Sequence, residues 1–157
     1  MEKYSRIKAL ISIDGIRYNF EQMKKNIKEG TKIIAVIKAD AYGHGAVPIA
    51  RMLEEFDYIW GFAAATAQEA LQLRKAGITR PILILGLVFE EYYKKLAEND
   101  VRMAVCDYET ARKFNKAAEA AGKKGLIHLA ADTGMTRIGF KDSEESLEEI
   151  RRIAALP

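Results

Sequence analysis

The sequence predicts an α/β protein in which strand–helix units repeat along a parallel sheet, and two observations carry that prediction. Five short apolar runs, Ile33–Lys38, Tyr58–Ala64, Pro81–Leu87, Val101–Cys106 and Leu126–Ala131, begin at 33, 58, 81, 101 and 126. That interval is the length of one strand, one helix and two short loops. Each run is almost continuously apolar rather than alternating, the pattern of a strand buried on both faces of a parallel sheet. The segments between the runs carry helix start and stop signals, and such alternation implies right-handed crossovers with helices covering the sheet. The period alone fits both a five-stranded open sheet and part of an eight-stranded barrel.

Taken in order, the elements begin with a short strand expected at Lys8–Ile13. A helix near Asn19–Lys28 follows, with Phe20, Met23 and Ile27 as its inward stripe. After the second run, Thr66 with Glu69 three residues on has the form of a capping box, and Gly77 sits where that helix should stop. Tyr92 and Tyr93 are neighbours on a helix that packs one face on the sheet, so one should be buried and the other partly exposed. Asp107 can cap the helix carrying Ala111, Phe114, Ala118 and Ala121, with Gly122 as its stop. Asp142 with Glu145 repeats the capping pattern ahead of Leu147, Ile150, Ile153 and Ala154. Trp60 and His128 lie inside apolar runs and read as core residues, His128 packed and hydrogen-bonded.

A chain of 157 residues corresponds to one domain and can bury roughly two thirds of its unfolded surface. Residues 1–157 are read as that single domain, because no Gly/Ser tract or proline-rich linker divides them. With 49% hydrophobic and 30% charged residues, the chain is neither disordered nor of low complexity. Its net charge of +3 is spread without basic blocks, which gives no case for nucleic acid. The richest apolar stretch, Pro81–Phe89, is interrupted by Gly86 and falls well short of the ~20 residues that cross a bilayer, so no membrane association is expected. The single cysteine, Cys106, and a start of Met-Glu-Lys-Tyr-Ser-Arg with no apolar segment behind it point to a cytoplasmic protein. Two histidines and one cysteine offer no metal-ligand spacing.

Functional groups of parallel α/β folds gather at the carboxyl ends of the strands. The loop after the first run reads Ala35-Val36-Ile37-Lys38-Ala39-Asp40-Ala41-Tyr42-Gly43-His44-Gly45. It places a lysine at the strand end, a tyrosine four residues on, and two glycines before the next helix. A lysine in an apolar strand end loses solvation of its ammonium form, which lowers its pKa and frees the amine to attack an aldehyde. The following helix would offer N–H groups and a positive dipole end to an anion such as phosphate. On position alone, Lys38 is an ordinary solvated or ion-paired strand-end lysine, Tyr42 a half-buried packing residue and His44 a loop histidine.

The whole string is more specific than its parts, and it closely resembles the pyridoxal-phosphate lysine motif of the alanine racemase family. Residues 128–140, His-Leu-Ala-Ala-Asp-Thr-Gly-Met-Thr-Arg-Ile-Gly-Phe, are similar to the family's second barrel signature, centred on Asp-Thr-Gly-Met-x-Arg. Arg17-Tyr18-Asn19 is similar to its amino-terminal segment. The matches are collinear and span nearly the whole chain. The resemblance implies a partial TIM-type (β/α) barrel of about five units and the interconversion of L- and D-alanine. Carried over by position, Lys38 would form the Schiff base with pyridoxal 5'-phosphate, Tyr42 would contact the phosphate, and Arg137 would lie near the phenolic oxygen of the ring. Outside that motif, Arg137 would be read as a surface ion pair with a neighbour such as Asp132.

The chain also departs from the family pattern. Family members are more than twice as long, with an eight-stranded barrel followed by a β-rich domain. Their second catalytic base, a tyrosine acting on the opposite face of Cα, has no counterpart in these 157 residues, nor has the arginine facing the pyridine nitrogen. Ala130 stands where many members have a lysine that orients the arginine matched by Arg137. Leu10 and Ser12 stand where acidic residues are usual. These departures are those of a truncated, and on one reading engineered, chain with no racemase turnover of its own. The alternative reading is a non-catalytic fragment or engineered scaffold that at most binds pyridoxal phosphate. Five units of a barrel leave two open sheet edges and an open inner face, from which self-association is expected.

Overall fold

The computed structural model describes residues 8–157. The five apolar runs form five parallel strands, β1 (Ile33–Val36), β2 (Ile59–Ala64), β3 (Ile82–Ile84), β4 (Val101–Val105) and β5 (Ile127–Leu129). Their order in the sheet is the order in the chain, β1-β2-β3-β4-β5. Each crossover therefore advances by one strand in one direction. A doubly wound sheet would reverse direction at some point; this one is a barrel arc, which settles the choice that the period left open.

Register rows show how the arc is packed. Ala35, Phe62, Ile82 and Val101 form one row and Ala64, Ile84, Met103 and Ile127 the next, all facing the helix layer within the hydrophobic core. The opposite, concave face carries Val36, Ala63, Leu83 and Arg102 in one row and Ala104 with His128 in another. This face is open at the β1 edge, where Ile34 is 38% and Val36 44% exposed. β1 is thus buried on its helix face only and β5 is fully buried on neither, correcting the reading of all five runs as buried on both, because no further strand closes over these edges among the described residues.

Trp60 is half-buried on this concave side. Ile33 pairs with Ile59 and Ile34 with Gly61, so Trp60 falls out of register between them, as in a β-bulge. Its ring has the Arg102 guanidinium 5.1 Å from the centroid and the His128 ring 5.6 Å away. His128 is therefore held by a ring contact in a half-open site and, among the described residues, makes none of the side-chain hydrogen bonds expected of a core residue. Its burial and the nearby Arg102 charge keep its pKa below the ordinary histidine value. Gly61 is required here for a different reason: a Cβ would run into the Pro81 carbonyl oxygen, which accepts the Phe62 N–H at 2.8 Å.

The helices are α1 (Ile13–Lys25), α2 (Ala46–Leu53), α3 (Ala67–Lys75), α4 (Tyr93–Glu98, entered through a 3-10 turn at Glu90–Tyr92), α5 (Tyr108–Ala120) and α6 (Glu144–Ala154). Both halves of the Thr66/Glu69 capping box are formed, and the Asp107 side chain caps α5. Gly77 and Gly122 follow α3 and α5 with positive φ, where they stop each helix. Tyr93 is buried and Tyr92 half-buried, as the sequence implies. Three boundaries differ. Residues 8–12 form no strand, because the Ser12 hydroxyl accepts the Gly15 N–H at 3.0 Å and starts α1 at Ile13. That helix begins six residues before Asn19 and ends before Ile27; none of its residues is fully buried, and Met23 is 43% exposed. At α6 the cap is Ser143, not Asp142, since it is the Ser143 hydroxyl that reaches the Ser146 N–H. Among the described residues no helix is long and apolar enough to cross a membrane. The opening residues Met1–Arg6 lie outside the described residues.

Candidate active site

Lys38 leaves the end of β1 and opens a turn that no propensity argument foresees. Ala39, Asp40, Ala41 and Tyr42 all have φ between 49° and 54°, and ψ at the first three is 45–49°. They make one left-handed turn without a glycine. Left-handed helical geometry costs an L-residue about 1–2 kcal/mol, so four in succession persist only if their surroundings impose it. Several contacts do. The Ala41 N–H donates to the Ile37 carbonyl at 2.9 Å and Gly45 N–H to the Asp40 carbonyl at 2.9 Å. Ala41 is buried against the core. The Asp40 carboxylate accepts the Ala46 N–H at 2.7 Å, and the Glu69 carboxylate accepts the Ala39 N–H at 2.9 Å. His44 Nδ1 lies 2.9 Å from the Ala41 carbonyl.

Within this frame Lys38 is half-buried, with Nζ 6.0 Å from the centroid of the Tyr42 ring. Tyr42 is 61% exposed and stands over the lysine instead of packing in the core. At the N-terminus of α2, the first N–H, on Ala46, is already taken by the Asp40 carboxylate, which leaves that end fewer donors for an anion.

Arg137 belongs to the segment after β5, the opposite edge of the sheet. Asp132 organises that segment by accepting the Gly134 N–H at 3.0 Å and the Thr136 N–H at 2.9 Å through one oxygen. These bonds, Thr136 first and then Gly134, hold the Asp132 carboxyl below the usual carboxylate range. The segment closes where Phe140 N–H donates to the Ala130 carbonyl at 2.7 Å and Asp132 N–H to the Phe140 carbonyl at 2.9 Å. Gly139, at φ +128°, permits that closure; a Cβ there would stand 2.5 Å from the Asp132 nitrogen.

Arg137 itself is exposed and, among the described residues, forms no ion pair or hydrogen bond. Asp132, the obvious partner in sequence, is committed to the backbone. Ala130 gives the arginine no polar side chain to lean on. The structure therefore brings Tyr42 to Lys38 and sets Arg137 at the same carboxyl end of the sheet, across the arc, without contact to either. Sequence reasoning singled out Glu69 only as half of a helix cap. Its bond to Ala39 joins residues 30 positions apart, and no local pattern signals it. Leu10 is 92% exposed, while Ser12 has a local role as the cap of α1.

Comparison with known proteins agrees with this arrangement. Residues 11–157 match the family model for the alanine racemase N-terminal domain. The alanine racemase of Clostridium kluyveri is 43% identical over 157 residues, which is 99% of this chain and 39% of that protein. The alanine racemase of Methanococcus maripaludis is 40% identical over 148 residues, covering 94% of this chain and 39% of that protein. Among solved structures, the Clostridium difficile alanine racemase in complex with cycloserine superposes with a TM-score of 0.90 at 43% identity, covering 94% of this chain and 40% of that one. A histidine racemase from Leuconostoc mesenteroides superposes with a TM-score of 0.81 at 31% identity, covering 91% and 38% respectively. The chain thus spans about two fifths of the length of the relatives it matches. With the N-terminal-domain model matching residues 11–157 and these relatives covering nearly the whole chain, the chain belongs to the alanine racemase family, and residues 11–157 correspond to its N-terminal domain.

Proposed function

We propose that this chain carries the lysine side of a pyridoxal-phosphate-dependent amino acid racemase site, and that residues 1–157 act as one partial-barrel domain. The observation that carries the reading is Lys38: a primary amine at an open strand end, half-buried, beside an exposed tyrosine, on a turn that its neighbours hold rigid. The donors present fit the proposed cofactor. Lys38 offers an amine to its aldehyde, Tyr42 a hydroxyl to its phosphate, and Arg137 an unpaired planar cation to its phenolic oxygen. When bound, pyridoxal phosphate supplies a conjugated ring that takes up the electron pair left at the Cα of an amino acid.

The residues of this chain would then divide the work. Tyr42 and Arg137 fix the ring at two of its substituents. Lys38 removes or returns a proton at Cα from its own side. Inversion needs a second proton carrier on the opposite side, and among the described residues none is placed to supply one. A missing general acid or base typically costs ~10²–10⁴ in rate, so residues 1–157 alone should racemise alanine no faster than free pyridoxal phosphate with lysine. Slow exchange of the Cα proton with deuterium, dependent on Lys38, should survive. Alanine is the substrate by kinship with the alanine racemases. A histidine racemase shares this part of the fold, so side-chain selection rests on groups other than the backbone of the arc. The open edges β1 and β5, with exposed Val36 and Leu129, favour self-association, which sedimentation at several concentrations would register. The lone cysteine and the absence of basic blocks favour a cytoplasmic setting with no nucleic-acid partner.

The test is borohydride reduction of the chain mixed with pyridoxal phosphate, followed by peptide mapping. The label should sit on Lys38 and vanish in Lys38→Ala. A label spread over many lysines would remove the site assignment. Labelling of Lys38 without Lys38-dependent deuterium exchange would mark a binding scaffold in place of a catalytic half-site. Clear L- to D-alanine conversion would show that a group within these residues, or from a second copy, supplies the other base.

A further inference from the structure

The carboxylate of Glu69 does more than a helix cap requires. A capping box needs it to accept one N–H, that of Thr66, which it does at 3.3 Å. Yet Oε2 makes a shorter bond, 2.7 Å, to the N–H of Ala65 at the end of β2. Oε1 reaches out of the box altogether to the N–H of Ala39 at 2.9 Å. Three backbone donors from two strand ends therefore converge on one side chain.

The Ala39 bond matters because of where Ala39 stands. Its N–H belongs to the peptide plane that follows Lys38, and the orientation of that plane sets the ψ angle of Lys38. The plane that precedes Lys38 is fixed separately, since the Ile37 carbonyl accepts the Ala41 N–H at 2.9 Å. With both planes held, the Cα–Cβ bond of Lys38 has one direction. Only one of the two holds comes from outside the turn, and it is Glu69. The neighbouring residues offer no substitute: Asp40 is engaged with Ala46 at 2.7 Å, and Ala39 starts a run of left-handed residues that would relax if its first N–H were released.

We propose that Glu69 is a positioning residue for Lys38: by gripping the Ala39 N–H it locks the left-handed turn and aims the lysine amine over the concave mouth of the arc. The consequence for cofactor capture rests on the reading of Lys38 as the pyridoxal-phosphate lysine; the consequence for the backbone does not. Glu69 touches no reacting atom and acts only through the peptide plane.

Glu69→Gln is the informative change, because a glutamine has one acceptor oxygen where three N–H donors converge, and its NH₂ cannot accept. Thr66→Ala is the control: it removes the hydroxyl half of the cap, which accepts the Glu69 N–H at 3.3 Å, and leaves the carboxylate in place. Amide hydrogen exchange in the 157-residue chain without cofactor is read first. Loss of a hydrogen bond to a charged group should speed exchange at Ala39 by about tenfold or more in Glu69→Gln and leave it unchanged in Thr66→Ala. The rate of borohydride-trapped labelling of Lys38 by pyridoxal phosphate is read second, and should fall about tenfold in Glu69→Gln alone, in step with the released fraction of the turn. Unchanged Ala39 exchange in Glu69→Gln, or equal acceleration in both variants, would overturn the proposal. So would faster exchange with undiminished labelling. Should the parent chain take no label at Lys38, the cofactor reading fails, while the Ala39 comparison still decides whether Glu69 holds the turn.

Discussion

The segments that follow β1 and β5 solve the same backbone problem in opposite ways. Both pass through positive φ at the carboxyl end of an edge strand. After β1, four non-glycine residues, Ala39 to Tyr42, adopt that geometry, and the restraint comes from elsewhere: Glu69 on α3, the buried Ala41, and the head of α2. After β5 the chain spends glycines, at 134 and 139, plus Thr136, and its restraint is its own Asp132. The difference teaches where precision is built. A turn that would be unstable alone takes its shape from the fold around it, and Lys38 inherits that rigidity. The β5 segment draws much of its shape from its own Asp132, with Phe140 anchoring it in the core, and Arg137 projects from it without a side-chain partner among the described residues.

The strongest way to break the comparison is Gly139→Ala. A Cβ there meets the Asp132 nitrogen and the Ala131 carbonyl carbon while φ is +128°, so overpacking and strain add, at a cost of about 3 kcal/mol. The denaturation midpoint should drop, with early loss of protection at the Phe140 N–H that closes the segment. Survival of both would show that the β5 segment, too, is shaped from outside.

A smaller effect of opposite sign is expected at the first turn. Ala39→Gly removes the left-handed penalty at an exposed position, and after the added chain entropy of glycine the protein should gain about 0.5–1 kcal/mol. A loss of stability would mean that the turn is not strained and that the restraints around it are incidental.

The smallest effect is acid sensitivity. The Asp132 carboxyl is held below its unfolded value by the Thr136 and Gly134 N–H groups. Its contribution is therefore complete above the unfolded aspartate range, near pH ~3.9, and is lost as pH falls through the lower folded value. Amide exchange at Gly134 and Thr136 should rise across that acid window in the parent chain and stay level in Asp132→Asn, whose amide oxygen accepts at every pH.

Much of the fold was legible because it rests on local burial. Five apolar runs became five strands, and Thr66 and Asp107 became the caps their spacing implies. Legibility failed where a single hydroxyl or a distant side chain decided the outcome. Ser12 turned an expected strand into the start of α1, and Ser143 displaced Asp142 by one residue. At the site, Lys38, Tyr42 and Arg137 were visible as a motif, and Lys38 and Tyr42 do meet. The left-handed turn between them was not legible, because Ala-Asp-Ala-Tyr has no preference for it and one of the contacts that impose it comes from Glu69, 30 positions away. The openness of the concave face was expected from five units of a barrel, but which residues it exposes depended on register, above all the slip that frees Trp60.

That slip has an optical consequence. Trp60 is the one tryptophan in the chain, and it sits half-open on the concave face between an arginine cation and an imidazole ring. Its emission is therefore a built-in gauge of what occupies the hollow of the arc. Any chain segment or second copy that completes the barrel must cover this indole and shift its fluorescence to the blue, whereas events confined to the helix layer leave it unchanged.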